Sequence, residues 1–412
     1  MINRYSSPEM AQVWSDENKI ATWGRVELNV MRAQGQRGIL DKDLWRALEL
    51  VLLPTAAEVE QHEAVLKHDV MAFLEAWRTN TDNREIHRFL HFGLTSSDIV
   101  ETGQALLLGE ANYLISRAGY DLLEALIEHA FKYKDLRRIG RTHGQAAEPT
   151  TYGYKVADIA FALDRSLDRF AFDTAHLYTA HISGPLGNNT HVPRSVELDV
   201  AKNLGLSAPN SATQVLMRDS LGAWAYCLAN LVSVCEAFAL EVRHGMRTEV
   251  GELFEGRSAG QEGSSSMPHK ENPVTSEKIC GLARMARAYV MPLTEGIALW
   301  HERDISHSSV ERLALPDLSA LTEHVLKATT TLVRDLRVNA AKMHYNIATE
   351  GSTTMLNEYI EAGMTRNEAY QAAKTGTRHR CAEPDTQHTW DSLAVLKQAL
   401  DEAKMMNGVS SL

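Results

Sequence analysis

The sequence predicts an all-α protein: an elongated central bundle of long helices flanked by two smaller helical domains. Two patterns and one absence carry that reading. Between about residue 96 and residue 342 the chain runs in long stretches of helical character, broken by short polar or Gly/Pro-bearing connections. Within them Leu221, Trp224, Leu228, Leu231, Cys235, Phe238 and Val242 recur at steps of three and four, which gathers apolar side chains on one seam. Runs of alternating β-branched residues, the mark of strands, do not occur.

Taken in order, residues 1–95 read as shorter helices forming an N-terminal domain. The central region 96–342 is assigned helices over about 98–134, 149–180, 221–242, 273–300 and 316–345. Each far exceeds the roughly 11 to 12 residues of an average globular helix. Apolar seams this long leave stripes for neighbouring subunits to bury, so a homo-oligomer is expected. Residues 343–412 read as a small C-terminal helical domain with a polar tail, and no internal repeat is found.

The chain has 412 residues, 44% of them hydrophobic, enough for a large core or two to three domains. Its formal charge of −11, from 42 basic and 53 acidic residues, argues against nonspecific binding to nucleic acid or to an anionic membrane, so an anionic ligand needs a focused local site. No apolar run is read as approaching the roughly 20 residues of a membrane span, and the start Met1-Ile2-Asn3-Arg4-Tyr5 has no secretory pattern. Cytosol is the expected location. Cys227, Cys235, Cys280 and Cys381 show no Cys-x-x-Cys spacing and read as reduced and structural.

Chemistry concentrates in loops that precede helices. In the signature loop 256–273, Gly256, Gly260 and Gly263 supply backbone freedom, and Asn272 can cap a helix opening at Pro273. Free N–H groups there, with Lys270, would make a positive site for a carboxylate or carbanion. A Gly/Ser surface loop with an ordinary cap accounts for the same composition. Ser264 can be a nucleophile, a donor or a base, the last only where its surroundings favour the alkoxide. Glu277 can orient an imidazole from elsewhere or be a surface carboxylate.

Upstream, His91-Phe92-Gly93-Leu94-Thr95-Ser96-Ser97-Asp98 puts a histidine and three hydroxyls before the first long helix, where hydroxyls and free N–H groups can grip a carboxylate while Ser96, Ser97 or Asp98 caps the helix. Arg141-Thr142-His143-Gly144 feeds another helix, and His143 has the near-neutral pKa of a proton donor, although a lone histidine is more often structural. Lys67-His68-Asp69-Val70 opens a helix. Trp300 to Arg312 is too polar to be explained as packing. His301, Glu302 and His307 lack any accompanying His-x-x-x-His or Cys/His set, so neither metal nor cofactor is expected.

The string Gly263-Ser264-Ser265-Ser266-Met267-Pro268-His269-Lys270-Glu271-Asn272-Pro273 resembles the signature loop of the fumarase/aspartase superfamily. Over roughly residues 1 to 345 the chain resembles the adenylosuccinate lyase family, of the shorter bacterial type. The resemblance rests on the Arg4-Tyr5 start with Pro8-Glu9-Met10, Lys67 to Val70, Gly93 to Asp98, Gly140 to Gly144, Ala212-Thr213-Gln214 with Arg218-Asp219, and Trp300 to Ser309. It implies that Ser264 abstracts the succinyl β-proton and His143 protonates the departing nitrogen. It places His68 at the phosphate side supporting His143, with Glu277 nearby and Lys67 and Asp69 beside the substrate. His91, Thr95, Ser96, Gln214, Lys270 and Asn272 would hold the carboxylates, and Arg4, Tyr5, Arg303, Ser308 and Arg312 the nucleotide. It further implies a homotetramer whose sites are shared between subunits.

Argininosuccinate lyases, carboxymuconate cycloisomerases and silent structural members remain alternatives. Retention of Ser264, His143, Lys270 and Glu277 together speaks against a silent one. Three departures stand out: Ala146 where many relatives carry a second histidine, Glu271 where a basic residue is usual, and a short polar stretch at Thr349 to Thr354. Glu271 is expected to oppose an incoming anionic substrate.

Overall fold

Local capping chemistry starts the N-terminal helices. Ser7 opens α1 (Pro8–Val13) and Ser15 opens α2 (Asp16–Gln36), each accepting a backbone N–H of the first turn. α3 (Leu44–Glu49) follows; Thr55 and Glu58 form a reciprocal capping box on α4 (Ala56–Leu66). His68 is the N-cap position of α5 (Asp69–Arg78), and Asn83 caps α6 (Arg84–Phe89). The structure is a computed structural model, and it describes residues 2–257, 267, 270–347, 352–375 and 384–409.

The described residues are overwhelmingly helical, as the sequence predicts. Five long helices follow: α7 (Ser96–Lys132), α8 (Tyr152–Thr174), α10 (Asp219–Gly245), α11 (Val274–Glu295) and α12 (Ser306–Asp335), with the shorter α9 (Arg194–Leu204) after α8. Trp224, Leu228, Leu231, Cys235, Phe238 and Val242 of α10 are all buried, so the seam read from spacing is a packing seam. α10 is also long and apolar enough to cross a membrane by length and composition, with 56% of its most apolar window buried inside the protein. That corrects the expectation that no run approaches such a length, because Ala, Cys and Gly between the large side chains keep the whole window apolar.

Boundaries moved where proline and polar residues misled. The helix expected over 149–180 begins only at Tyr152, because residues up to Thr151 belong to a strand. The last long helix, expected from Pro316, begins ten residues earlier and carries Pro316 inside it. Asp304 makes that earlier start: its carboxylate accepts the Ser306 hydroxyl, the Trp300 N–H at 2.8 Å and the Ser306 N–H at 2.8 Å, and these bonds, the hydroxyl's foremost, hold its pKa down to about 2. The polar stretch at 300–312 is therefore a capped turn plus the first two turns of α12.

By internal contacts the chain divides into two compact units. One comprises Met1–Arg117, Asp168–Asn230 and Met285–His324. Its core surrounds Trp23, Phe73 and Trp77, with ring centroids 5.7 and 5.5 Å apart, and α2 packs there against α9. The other comprises Ala118–Leu167, Leu231–Arg284 and Val325–Leu412. It contains the two small sheets, which the sequence did not signal. β1 (Arg137–Thr142) pairs antiparallel with β2 (Gln145–Thr151), and β3 (Leu253–Phe254) with β4 (Arg337–Val338). α13 (Ala340–Tyr345) packs on β1, α14 (Ser352–Glu361) on α15 (Arg366–Thr375), and α16 (Gln387–Val409) reaches α7 through a Lys404–Glu124 ion pair of 2.7 Å.

Candidate active site

The expected residues fall into two sets, one in each unit. In the first unit, Asp69 begins α5 and its carboxylate bridges three groups: Oδ1 accepts the Val70 N–H at 2.8 Å and lies 3.4 Å from His68 Nδ1, while Oδ2 pairs with Arg312. Arg312 Nε also lies 3.4 Å from Ser308 Oγ, so His68, Asp69, Ser308 and Arg312 form one polar cluster. Arg303 Nη1 donates to Gln214 Oε1 at 3.3 Å. Arg4 is exposed on the 3-10 turn Asn3–Tyr5, and Tyr5 stands edge-on to His324 at 5.3 Å. Lys67 is an exposed residue in the left-handed region, φ 55°, ending α4.

The turn carrying His91, Thr95 and Ser96 is held from three directions. His91 has φ 69° and its Nδ1 lies 2.5 Å from Glu27 Oε1 of α2. Gly93, at φ 79°, passes so close to the His191 carbonyl that a Cβ would sit 2.9 Å from it, which requires glycine. The Asp98 carboxylate, fully buried, accepts the Thr95 N–H at 2.8 Å and the Ser183 and Gly184 N–H groups at 2.9 and 3.1 Å. Asp98 thus does the capping, and the half-buried Thr95 and Ser96 sit at the start of α7. A second close approach fixes the neighbouring segment: a Cβ on Gly187 would lie 1.9 Å from the Thr213 carbonyl, one residue before Gln214.

In the second unit His143 sits at the tip of the β1–β2 hairpin. Thr142 pairs with Gln145, leaving His143 and Gly144 as a two-residue loop with φ 54° and 75°. Two successive positive φ values make a type I′ turn, whose twist matches that of the strands. Arg141 grips Glu252 with two bonds of 3.0 and 2.6 Å, and Asn346 donates to the same carboxylate at 2.7 Å, so the hairpin is tied down beside its tip. His143 itself is exposed.

At the start of α11 the structure corrects the expected anion site. The buried Glu255 carboxylate already accepts the Thr275 N–H at 3.0 Å, the Ser276 N–H at 2.7 Å and the Ser276 hydroxyl at 2.6 Å. An internal anion thus fills the helix N-terminus, and it favours that place for the same dipole and N–H reasons a substrate would. The helix opens at Val274 rather than Pro273. Lys270 is exposed, Asn272 half-buried, and Glu277 exposed one turn into α11. Ser264 lies outside the described residues.

Glu271 is likewise not the bare repulsive charge expected. It pairs with Arg337 at 2.5 Å and lies 3.6 Å from Arg257, so two guanidinium groups neutralise it. Asp98 is one of the capping candidates the sequence offers, whereas His181 and Glu27 carry no sequence signal. His181 Nδ1 lies 3.2 Å from Asp98 Oδ1, and its Nε2 meets the Thr213 carbonyl at 3.1 Å, linking the α7 start to the Gln214 segment.

Comparisons with known proteins point one way. Residues 55–287 match a family model described as Lyase. An adenylosuccinate lyase of Aquifex aeolicus is 37% identical over 409 residues, covering 98% of this chain and 91% of that protein. One from Thermotoga maritima is 40% identical over 374 residues, covering 90% and 86%. A fumarate lyase from Mesorhizobium sp. BNC1 has the same fold, with a TM-score of 0.82 at 23% identity over 91% of this chain and 86% of that one. A 3-carboxy-cis,cis-muconate lactonizing enzyme from Pseudomonas putida superposes with a TM-score of 0.80 at 25% identity over 90% and 84%.

Proposed function

The chain belongs to the adenylosuccinate lyase family within the fumarase/aspartase superfamily, and we propose that it works by general acid–base β-elimination with the residues of its two polar sets. The enzyme is a purine-biosynthesis lyase: it eliminates fumarate from adenylosuccinate, leaving AMP, and from the succinylated carboxamide ribonucleotide SAICAR, leaving AICAR. The near-full-length similarity to curated adenylosuccinate lyases carries this reading, since the cycloisomerase likeness is weaker in sequence.

In the proposed mechanism Ser264 removes the proton β to the departing nitrogen. The electron pair moves onto the adjacent carboxylate as an aci-carboxylate, the C–N bond breaks, and His143 delivers a proton to the leaving nitrogen. Charge building on the carboxylate needs preorganised donors, which Thr95, Ser96, Gln214, Lys270 and Asn272 supply. His68, Ser308 and Arg312, with Asp69 holding Arg312 in place, fit the phosphate. Lys67, His91, Arg4, Tyr5 and Arg303 are assigned to the nucleotide side, and Glu277 to orienting an imidazole. The two sets are proposed to meet between neighbouring copies of a homotetramer, with functional domains at 1–95, 96–342 and 343–412. No cofactor, metal, nucleic-acid or membrane partner enters the proposal, and the cytosol is the proposed location.

Fumarate release from purified protein given adenylosuccinate and SAICAR tests the assignment. Turnover of both is expected; no release from either, alongside turnover of argininosuccinate or a carboxymuconate, overturns it. The same assay tests Glu271. Because Arg337 and Arg257 already neutralise that carboxylate, Glu271→Lys is expected to leave KM within about twofold, at low and high salt alike. A severalfold fall in KM that vanishes with added salt would restore the repulsive role.

A further inference from the structure

Among the side chains that α2 buries are those of Glu27 and Gln34, each only 2% exposed. They stand seven residues apart, hence on one helix face. Both serve the turn at 90–95. Glu27 Oε1 lies 2.5 Å from His91 Nδ1, and Gln34 Nε2 donates to the Phe92 carbonyl at 2.9 Å. From α5, Arg78 donates to the Leu90 carbonyl at 3.2 Å. A carboxylate is costly to bury, and a neutral donor such as Gln34 would suffice to brace a turn. The carboxylate at position 27 therefore needs a reason beyond bracing.

We propose that Glu27 is a positioning residue that orients His91 and favours its imidazolium form, giving the site a cation for an anionic group of the substrate. The inference rests on the reading of His91 as a substrate-binding residue. With Nδ1 engaged by Glu27, Nε2 is the donor left to a ligand, and 13% of the His91 side chain stays exposed. Burial opposes charge on this ring, yet the Glu27 carboxylate, its hydrogen bond and the Asp98 charge from α7 outweigh both burial and Arg78, so the His91 pKa lies above its ordinary value. An unpaired histidine loses its charge near physiological pH; this pairing carries the charged form to higher pH.

Histidine NMR on the full-length enzyme, with the His91 signal assigned by its loss in His91→Gln, tests the idea. The wild-type ring is expected to titrate above its ordinary value, with the Glu27 carboxylate outweighing burial. Glu27→Gln keeps shape and hydrogen bonding but removes the charge. It should lower that midpoint and raise KM for adenylosuccinate severalfold at pH 8, but under about twofold at pH 6, where the ring protonates regardless. The effect should fall on KM more than on kcat, and Glu27→Asp should recover both readouts in part. An unmoved midpoint in Glu27→Gln, or a KM ratio equal at both pH values, overturns the inference. If Glu27→Gln fails to fold, a wild-type midpoint at or below 6.5 overturns it. A normal KM in His91→Gln instead sinks the placement of His91 in the site; a raised one with an unmoved Glu27→Gln titration sinks only the Glu27 role.

Discussion

Replacing His143 or Ser264 is expected to lower turnover by about 10²-fold or more while leaving the helical fold intact, because each is assigned an essential proton transfer. The hairpin geometry selects the variant. His143 occupies a left-handed position, φ 54°, that asparagine tolerates better than glutamine, so His143→Asn removes the proton donor with less strain than His143→Gln. His143 is exposed, and Arg141, Glu252 and Asn346 hold the hairpin without it, so circular dichroism and thermal midpoint should stay near wild type. A variant that keeps more than about a tenth of the wild-type rate contradicts its assigned role. The two inactive chains, Ser264→Ala and His143→Asn, should also regain activity when dissociated and reassembled together. Verified hybrids that stay inactive would rule out sites shared between subunits.

The long helices were legible because each repeats its apolar signal many times; seven residues mark the α10 seam, and all are buried. The β1–β2 hairpin was not, because Arg137-Arg138-Ile139-Gly140-Arg141-Thr142 carries arginines where strand alternation would show, and the pairing is stabilised by Arg138–Glu241 and Arg141–Glu252 contacts over 100 residues apart in sequence. Its one local signal was His143-Gly144, a two-residue loop suited to positive φ at both positions. The start of α12 was hidden by Pro316, although Asp304 followed by Ser306 is an ordinary cap pattern. Site residues in motifs could be named from the sequence, but their supports could not. Glu27 and Glu255 look like surface acids until the fold buries them beside His91 and the α11 N-terminus, and Asp98, legible as a cap, gave no sign of its bonds to the 183–184 backbone. Likewise Glu271 read as a free charge because its partners Arg337 and Arg257 have no fixed spacing from it.

The largest loss of stability is expected from Arg218→Leu, and the reason lies in a buried triad. Arg218, 2% exposed, forks onto Glu101 of α7 with bonds of 2.8 and 2.5 Å and onto Glu311 of α12 at 2.9 Å. Removing the cation leaves two buried carboxylates facing each other, a loss of about 3 to 5 kcal/mol by comparison with other broken buried pairs. The midpoint of chemical denaturation should fall accordingly; a loss under about 1 kcal/mol would show that water or relaxation screens the triad. One arginine does not fully offset two acids. Burial pushes the Glu311 carboxyl up to about 7 against the pull of Arg218, with the Glu101 charge adding to the rise. A pKa raised in the folded state means that Glu311 stabilises the fold fully below its unfolded value near 4.5, and that this contribution is lost as pH rises through about 7. Glu311→Gln, which mimics the neutral acid and can still accept from Arg218, should therefore match wild type near pH 4.5 and exceed its stability above pH 7, by up to about 3 kcal/mol. The buried His307 beside it, pushed down to about 4 chiefly by burial, contributes the opposite slope: its stabilisation is complete above 6.5 and fades as pH falls toward 4. Denaturation midpoints of wild type and Glu311→Gln across pH 4.5 to 8 separate the two, because only the Glu311 contribution appears in their difference. A difference that is flat with pH would mean the triad carries its second carboxylate ionised throughout.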